Sequence, residues 1–284
     1  MFRIISISIL LVVLFTSCDS GEVPSYIAVD NANVNITSNK QGTAAHGLTD
    51  CWLNVNGKLV GIFEIPFQVP VLETGRKNIW IQPGIKNNGV NSDRKVYPML
   101  EAYFLDTFLV AGDVLKITPV YEYKSESALN FAFVEGFDGV GHGFDIEDDS
   151  HAFITSEGGM EGKCMHVVLD DETRSFECKT KDLFDITKTG EAYLEVNFKC
   201  NAAFAFGLFS REISGGNTVE VRKEICRFNP TEEWKKMYIQ LNYTVRTASG
   251  SQFRPYFTCV RPENAKTENT EFFIDNVKLV YYAN

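Results

Sequence analysis

Residues 193–198 read Tyr-Leu-Glu-Val-Asn-Phe, the clearest strand signal in the chain. Successive side chains of a β-strand point to opposite faces, so Leu194, Val196 and Phe198 are predicted to share one face. The residues between them are polar or amphipathic and are predicted to share the other face. A strand of this kind belongs to an antiparallel sheet that buries one face in a core and leaves the other polar.

The same period of two recurs through the second half of the chain. Residues 219–226, 237–241 and 253–260 alternate in this way, and residues 204–209 form a more continuous apolar and aromatic run. About eight strands of this length fit a jelly roll, in which two antiparallel sheets pack face to face. Residues 130–284 are therefore predicted to form one jelly-roll domain.

The first half of the chain also predicts strands. Its clearest mark is Asn56-Gly57 between two alternating apolar runs, because a type I′ hairpin turn needs positive φ at both positions. About six or seven short strands fill residues 26–123 and predict a small β-sandwich. The polar residues 124–129 lack alternation and are predicted to link the two domains. The predicted fold class is therefore all-β, a small β-sandwich followed by a jelly-roll β-sandwich.

Composition limits the partners of the protein. The chain has 284 residues, a formal net charge of −10 and no cluster of Lys and Arg, so nucleic acid is excluded as a partner. Six cysteines follow Cys18, and none has the paired spacing of a zinc site. We expect free thiols that behave as small apolar side chains, with a Cys164–Cys178 disulfide as the alternative.

The N-terminus predicts export. Arg3 precedes an apolar run at residues 4–15, which is long enough for the core of a signal peptide and too short to cross a bilayer comfortably. Phe15-Thr16-Ser17-Cys18 then resembles the lipobox of bacterial lipoproteins. That family usually has Leu at the first position and Gly or Ala before the Cys, so Phe15 and Ser17 depart from its pattern.

The lipobox resemblance implies a signal peptide at residues 1–17, a diacylglyceryl lipid on the Cys18 thiol and a polar tether at residues 18–25. An ordinary secretory peptide with an incidental cysteine is the alternative. Asp19 directly after the Cys is a retention signal for the inner membrane in some bacteria, whereas acidic residues there accompany surface export in others. We expect a lipid-anchored protein of the cell envelope, at the outer membrane or cell surface rather than the inner membrane.

Two parts of the chain resemble known domain families. Residues 51–81 resemble a PEGA-like surface module through their turn residues, Asn56-Gly57, Gly61, Pro66 and Gly75. Residues 130–284 resemble the jelly rolls of carbohydrate-binding modules and galactose-binding-like domains. The segments that carry this second resemblance are residues 133–137, 233–236 and 273–279. It implies the fold and makes glycan the leading ligand class, but it specifies no particular sugar.

The polar sides of the jelly-roll strands hold the candidate ligand-binding residues. If these strands share one sheet, their outward side chains form one surface of amides, charges and aromatic rings. Rings stack on the apolar faces of sugars, and the polar groups bond sugar hydroxyls. The alternative is an ordinary solvated sheet face. The candidates are Tyr193, Glu195, Asn197, Arg222, Tyr238, Gln240, Asn242, Arg254 and Tyr256.

A structural calcium ion is the one cofactor that the resemblance suggests. Jelly rolls of this kind often hold calcium between their first and last strands, and calcium prefers several hard oxygen ligands. The acidic residues at matching places are Glu135, Asp138 and Asp275. The alternative is that these carboxylates are simply solvated or belong to turns.

The function predicted from these features is non-catalytic. No nucleophile elbow, zinc-protease motif or phosphate-binding loop occurs in the sequence. We predict a cell-envelope lipoprotein that binds glycan or polysaccharide through its C-terminal jelly roll. One alternative is a structural lipoprotein that docks other envelope proteins in a complex. The other is a divergent glycoside hydrolase or other hydrolase, because paired carboxylates are defined by their separation in space and not in sequence.

Overall fold

The structure is a computed structural model that describes residues 21–146, 151–263, 265 and 269–283. Its regular elements are β-strands, apart from a 3-10 helix at Asn39–Gln41 and a short helix α1 at Asn242–Thr247. The predicted all-β fold is confirmed. Among the described residues, no helix has the length and apolar character needed to span a bilayer.

The first part of the chain folds into short strands in three sheets. One sheet has the order β5-β1-β9, a second pairs β10 with β2, and the third has the order β4-β3-β6-β7 with β8 also on β6. The strands are β1 (Ser25–Val29), β2 (Asn33–Asn35), β3 (Asp50–Val55), β4 (Lys58–Glu64), β5 (Phe67–Val71), β6 (Gly75–Lys86), β7 (Arg94–Val96), β8 (Tyr103–Leu109), β9 (Val114–Lys116) and β10 (Val120–Glu122).

The hairpin predicted at Asn56-Gly57 is confirmed. These two residues connect β3 to β4 and have φ angles of 49° and 77°. Gly adopts such angles at little cost and Asn tolerates them, which is why this pair is favoured in a two-residue hairpin. Asn56 adds a further bond, because its Oδ1 accepts from the backbone N of Asn78 on β6 at 3.1 Å.

The second part of the chain forms two larger sheets. Its strands are β11 (Leu129–Glu135), β12 (Ala152–Thr155), β13 (Cys164–Leu169), β14 (Ser175–Lys179), β15 (Phe184–Asp185), β16 (Ala192–Cys200), β17 (Phe204–Ser214), β18 (Asn217–Phe228), β19 (Thr231–Gln240), β20 (Gln252–Val260) and β21 (Thr270–Tyr282). Sheet I has the order β12-β13-β21-β16-β19, with β11 also on β21, and sheet II has the order β14-β20-β17-β18, with β15 also on β20.

The long last strand organises sheet I. One edge of β21 pairs first with β13 and then with β11, and its other edge pairs with β16. First and last strands of the second part are therefore neighbours, with Leu129 opposite Tyr282. Antiparallel pairing throughout both sheets matches the alternating pattern from which the jelly roll was predicted.

The core of the second part lies between sheets I and II. Leu194, Val196 and Phe198 point into it, as the alternation predicts, and meet aromatic side chains of sheet II such as Phe204 and Phe257. The six cysteines among the described residues form no disulfide with one another, so the alternative of a Cys164–Cys178 disulfide is not formed. Strand β16 thus has the buried and outward sides that its alternating sequence predicts.

A second core joins the two parts of the chain. Its members are mostly side chains of the first part, such as Tyr97 and Tyr121, but it also contains Tyr193, Tyr238 and Val280 from sheet I. These three residues lie on the outer side of sheet I, opposite the inter-sheet core. The first part of the chain therefore packs against the outer side of that sheet.

Candidate functional site

The structure divides the candidate ligand-binding residues between two sheets. Tyr193, Glu195 and Asn197 lie on β16, and Tyr238 and Gln240 lie on β19, all in sheet I. Arg222, Arg254 and Tyr256 lie on β18 and β20 in sheet II, and Asn242 starts α1. The condition for one shared polar surface, that these strands belong to one sheet, is therefore not met, because alternation fixes the side of a strand but not the sheet to which it belongs.

The sheet I group is covered by the first part of the chain. We call this surface, formed by Tyr193, Glu195, Lys236, Tyr238 and Lys278, the closed face. Glu195 lies at its centre, and one of its oxygens accepts hydrogen bonds from the hydroxyls of Tyr97 at 2.6 Å and Tyr123 at 2.7 Å. Both tyrosines belong to the first part and are buried. Their contacts satisfy a carboxylate that the sequence pattern places toward solvent.

Two lysines complete the closed face. The Nζ atoms of Lys236 and Lys278 lie 3.0 and 3.6 Å from the other oxygen of Glu195, and Lys278 also donates to the Tyr123 hydroxyl at 2.7 Å. Burial alone would raise the pKa of Glu195, but the two lysine charges and the tyrosine hydroxyls lower it to about 2. Burial lowers the pKa of Lys278 to about 8.

Three further candidates have hydrogen-bond partners within the protein. The Tyr238 hydroxyl accepts from the backbone N of Gly47 at 3.0 Å, and Gln240 receives a bond from Lys95 at 3.0 Å. Asn242 joins two neighbouring backbone segments, since its side chain bonds Ala192 N and Gly190 O. Asn197 is buried, and its Oδ1 has no hydrogen-bond partner among the described residues. Tyr238 and Gln240 thus bond to the first part of the chain, whereas Asn242 bonds within the second part.

The sheet II group forms the candidate site. Its outer surface, which we call the open face, is formed by Glu177 and Lys179 on β14, Phe209 on β17, Arg222 and Glu220 on β18, and Arg254 and Tyr256 on β20. The register places Arg254 opposite Phe209, and Phe209 opposite Arg222. Lys179 is opposite Tyr256 in the next row. Side chains from four neighbouring strands thus meet on one surface.

Two aromatic rings occupy the middle of the open face. The Phe209 and Tyr256 ring centroids are 4.8 Å apart, and the Arg222 guanidinium lies over the Tyr256 ring at 4.9 Å. The Lys179 ammonium lies 5.5 Å from the Phe209 centroid. Each ring therefore has a cation on its electron-rich face, an attractive arrangement that also keeps the polar heads near solvent.

Salt bridges surround the two rings. Arg222 contacts Glu177 at 3.1 Å, while Lys179 and Arg254 contact the same carboxylate of Glu220 at 3.2 and 3.3 Å. The charged side chains in these pairs are 20–49% exposed, so water screens their attraction. They are consequently able to exchange these partners for a ligand at low cost.

Two polar atoms of the open face lack protein partners. The hydroxyl of Tyr256 and the Nε of Arg254 are buried and have no hydrogen-bond partner among the described residues. Burial raises the pKa of Tyr256, an effect opposed by the neighbouring Arg222 guanidinium. A buried polar atom without a partner costs free energy, and a bound ligand or water is the usual way to satisfy it.

Gly207 makes room for Tyr256. A Cβ atom at this position would lie 2.5 Å from the Tyr256 hydroxyl oxygen and 2.3 Å from the carbonyl oxygen of Lys223. The close approach therefore requires glycine. Sequence reasoning missed Gly207, Lys179 and Phe209, although parity offered a signal: Phe204 and Phe206 face the core, so Phe209 falls on the opposite side.

The predicted calcium ligands have other partners. Both oxygens of Glu135 accept backbone N–H bonds, and Asp138 accepts from Lys163 N at 2.8 Å. Burial raises the pKa of Asp275 to about 6. Within the described ranges, no three His, Cys, Asp or Glu side chains gather closely enough to hold a metal ion. Calcium at this place stays a prediction.

Comparison with known proteins gives likenesses of fold only. No protein-family model and no curated protein matches the sequence. Among solved structures, a xylan-binding CBM22 domain of Paenibacillus barcinonensis Xyn10C is 14% identical, with a TM-score of 0.38 over 56% of this chain and 99% of that chain. A family 11 carbohydrate-binding module from Clostridium thermocellum is 17% identical, with a TM-score of 0.34 over 55% of this chain and 96% of that one. Likenesses at this level carry no argument about ligands.

Proposed function

We propose that this protein binds glycan non-catalytically through the open face of its jelly roll. One observation carries the proposal: the partly exposed Phe209 ring, packed on the buried Tyr256 ring, lies among three cations and beside two buried polar atoms that lack partners. A sugar offers an apolar ring face to aromatic rings and hydroxyls that both donate and accept. A hydroxyl-rich ligand that displaces Arg222 from the Tyr256 ring would reach the Tyr256 hydroxyl and the Arg254 Nε and satisfy both.

The closed face is not the proposed site. Glu195 and Lys278 already bond to tyrosines of the first part of the chain, and Glu195, Lys236 and Lys278 are at most 3% exposed. Glycan would have to displace Tyr97 and Tyr123 from Glu195 to reach it. The open face requires only that exposed salt bridges rearrange, so it is the face of the jelly roll on which we place the ligand.

The experiment is a glycan array with the full chain, followed by titration of each positive glycan. Replacing Arg254 with Met should weaken binding about tenfold or more, because it removes a charged donor worth about 1.5 kcal/mol or more to a bound hydroxyl. Arg76→Met is the matched control, since Arg76 is an exposed arginine paired with Asp106 in the first part of the chain. Binding of no glycan, or equal binding by both variants, would overturn the proposal.

We further propose that the protein is a lipid-anchored envelope protein, attached through Cys18, at the outer membrane or cell surface. Cys18 lies outside the described residues, and support comes from the apolar run and the lipobox-like segment in the sequence. A Cys18→Ser variant should be recovered as a folded protein that no longer sediments with membranes. External protease added to intact cells should cleave the wild type if the anchor lies at the cell surface.

A second candidate function is docking of other envelope proteins. The observation that favours it is an uncovered face of the sheet that contains β3, β4, β6 and β8. Leu59, Ile62, Trp80 and Phe104 are exposed there, and the Trp80 and Phe104 rings stack with centroids 5.4 Å apart. Contiguous exposed apolar side chains commonly mark contact surfaces. Photo-crosslinkers at Phe104 and Phe209 in intact cells would separate docking, which predicts a specific protein adduct at Phe104, from glycan binding.

A further inference from the structure

Five exposed apolar side chains cluster at one end of the first part of the chain. We call this the anchor end and define it by Val23, Leu72, Phe108, Val110 and Val114. These side chains are between 42% and 69% exposed, although each is of a type normally found inside proteins. Single exposed apolar residues need no explanation, but a group of five on adjoining loops and strand ends does.

Hydrogen bonds and strand pairing bring these residues together around the start of β1. Gly112 N donates to Pro24 O at 2.9 Å, which places the loop after β8 against the residues before β1. The Ser25 hydroxyl donates to Glu73 O at 2.9 Å and fixes the loop after β5 on the other side. Tyr26 pairs with Val114 at the start of β9. Both loops thus flank the point at which the chain enters the fold.

That point lies close to the proposed lipid. Ser25 is the seventh residue after Cys18. Seven residues reach at most about 25 Å even when fully extended. The inference rests on the proposed lipid anchor: if Cys18 is fixed at the bilayer surface, no other segment of the described chain is tied so closely to the membrane.

The charges at the anchor end favour an uncharged contact. Its acidic residues are Glu22, Glu73 and Asp113, and Glu73 is paired with Lys77. The described residues of this end hold no excess of cations that would attract anionic headgroups, unlike the polybasic segments that accompany many lipid anchors. The groups left to meet the membrane are the aliphatic side chains and the Phe108 ring, which suit the boundary between headgroups and acyl chains.

We propose that the anchor end rests in the interfacial layer of the bilayer that holds the Cys18 lipid. A lipid anchor alone retains a protein at a membrane without fixing its orientation. Insertion of Phe108, Leu72 and their neighbours into the bilayer would add a second contact, and this contact would fix the orientation. The chain would then meet the bilayer with this end and no other.

The test uses the lipidated full chain in phosphatidylcholine vesicles. A tryptophan replaces Phe108, and its fluorescence is compared in vesicles with ordinary and with brominated acyl chains, which quench tryptophans at the bilayer. Ile62→Trp is the matched control, because Ile62 is an exposed apolar residue of the same part of the chain. In the sheet register Ile62 lies at the same level as Gln82 of β6. Gln82 lies seven residues along β6 from Gly75, about 23 Å from the anchor end.

We expect brominated acyl chains to quench the added tryptophan of Phe108→Trp strongly. Quenching of Ile62→Trp should not exceed that of the wild type, which comes from its three native tryptophans. Flotation of the vesicles reports the anchor separately, with the Cys18→Ser variant as the reference. Wild-type protein that floats while Phe108→Trp shows no more quenching than Ile62→Trp would overturn the contact and leave the anchor intact. Wild-type protein that does not float would overturn the anchor, and the contact with it.

Discussion

The two outer faces of the jelly roll look alike in sequence and differ in structure. Each combines tyrosine, basic and acidic side chains on strands whose sequences alternate between apolar and polar residues. On the closed face one carboxylate, Glu195, serves two lysines and two tyrosine hydroxyls, all of them buried. On the open face Glu177 and Glu220 each meet their cations at a surface that water reaches. The same residue types therefore form an internal joint on one side and an available surface on the other.

Burial makes the energetic difference between these faces. A buried charge has lost its hydration, so breaking one buried pair leaves an uncompensated ion and costs several kcal/mol. An exposed pair contributes roughly 0–1 kcal/mol because water replaces the missing partner. The comparison therefore predicts unequal responses to similar substitutions on the two faces.

The largest effect is expected from Glu195→Gln. This change keeps the size of the side chain but removes the carboxylate with which both Lys236 and Lys278 are paired among the described residues. The free energy of unfolding should fall by about 3–5 kcal/mol in urea titrations. Glu177→Gln on the open face is the matched control and should cost less than about 1 kcal/mol. Equal losses would show that the two faces do not differ in burial in solution.

The next largest effect is a loss of stability in acid. The folded pKa of Glu195 is about 2, below its ordinary value of 4.5, so its stabilisation is complete above pH 4.5 and is lost as the pH falls toward 2. In that interval Glu195 is protonated in the unfolded chain but remains ionised in the folded chain. The loss should reach about 3 kcal/mol. Unfolding titrations of the wild type at several pH values measure this loss. The Glu195→Gln variant should not show it. If the free energy of unfolding falls with pH in the same way for both proteins, the loss does not come from Glu195.

The sequence predicted local features of this fold well. The parity of residues 193–198 is correct, since Leu194 and Val196 face the inter-sheet core and Glu195 faces away from it. The turn at Asn56-Gly57 is also correct. Both depend on neighbours in sequence: the period of a strand and the φ angles of two turn residues.

The candidate site could be predicted only in part, because its remaining features depend on distant residues. Arg222 and Arg254 can be assigned to a different sheet from Glu195 only if the pairing of the strands is known. The alternation of apolar and polar residues along a strand does not specify that pairing. The coverage of Glu195 depends on Tyr97 and Tyr123, about 70 to 100 residues away in the chain. Nothing in the local pattern of β16 distinguishes a face that meets water from one that meets another part of the protein.

The smallest difference that still separates the two faces concerns their cation–ring contacts. Lys278 lies 4.3 Å from the Tyr123 ring on the closed face, and Arg222 lies 4.9 Å from the Tyr256 ring on the open face. Arg222→Met should cost less than about 1 kcal/mol, because the side chains of Arg222 and its partner Glu177 are 49% and 39% exposed. Lys278→Met should cost more, since it also removes a buried partner of Glu195, although Lys236 remains to compensate that charge.

This pair of substitutions also tests whether the open face is available to a ligand. With Met at position 222, the Tyr256 ring loses the guanidinium that lies over it, while the fold should remain intact by circular dichroism and urea titration. A loss from Arg222→Met as large as that from Lys278→Met would mean that the guanidinium is desolvated and fixed. The open face would then be a second internal joint, and a glycan could not displace Arg222 at the low cost that its exposure implies.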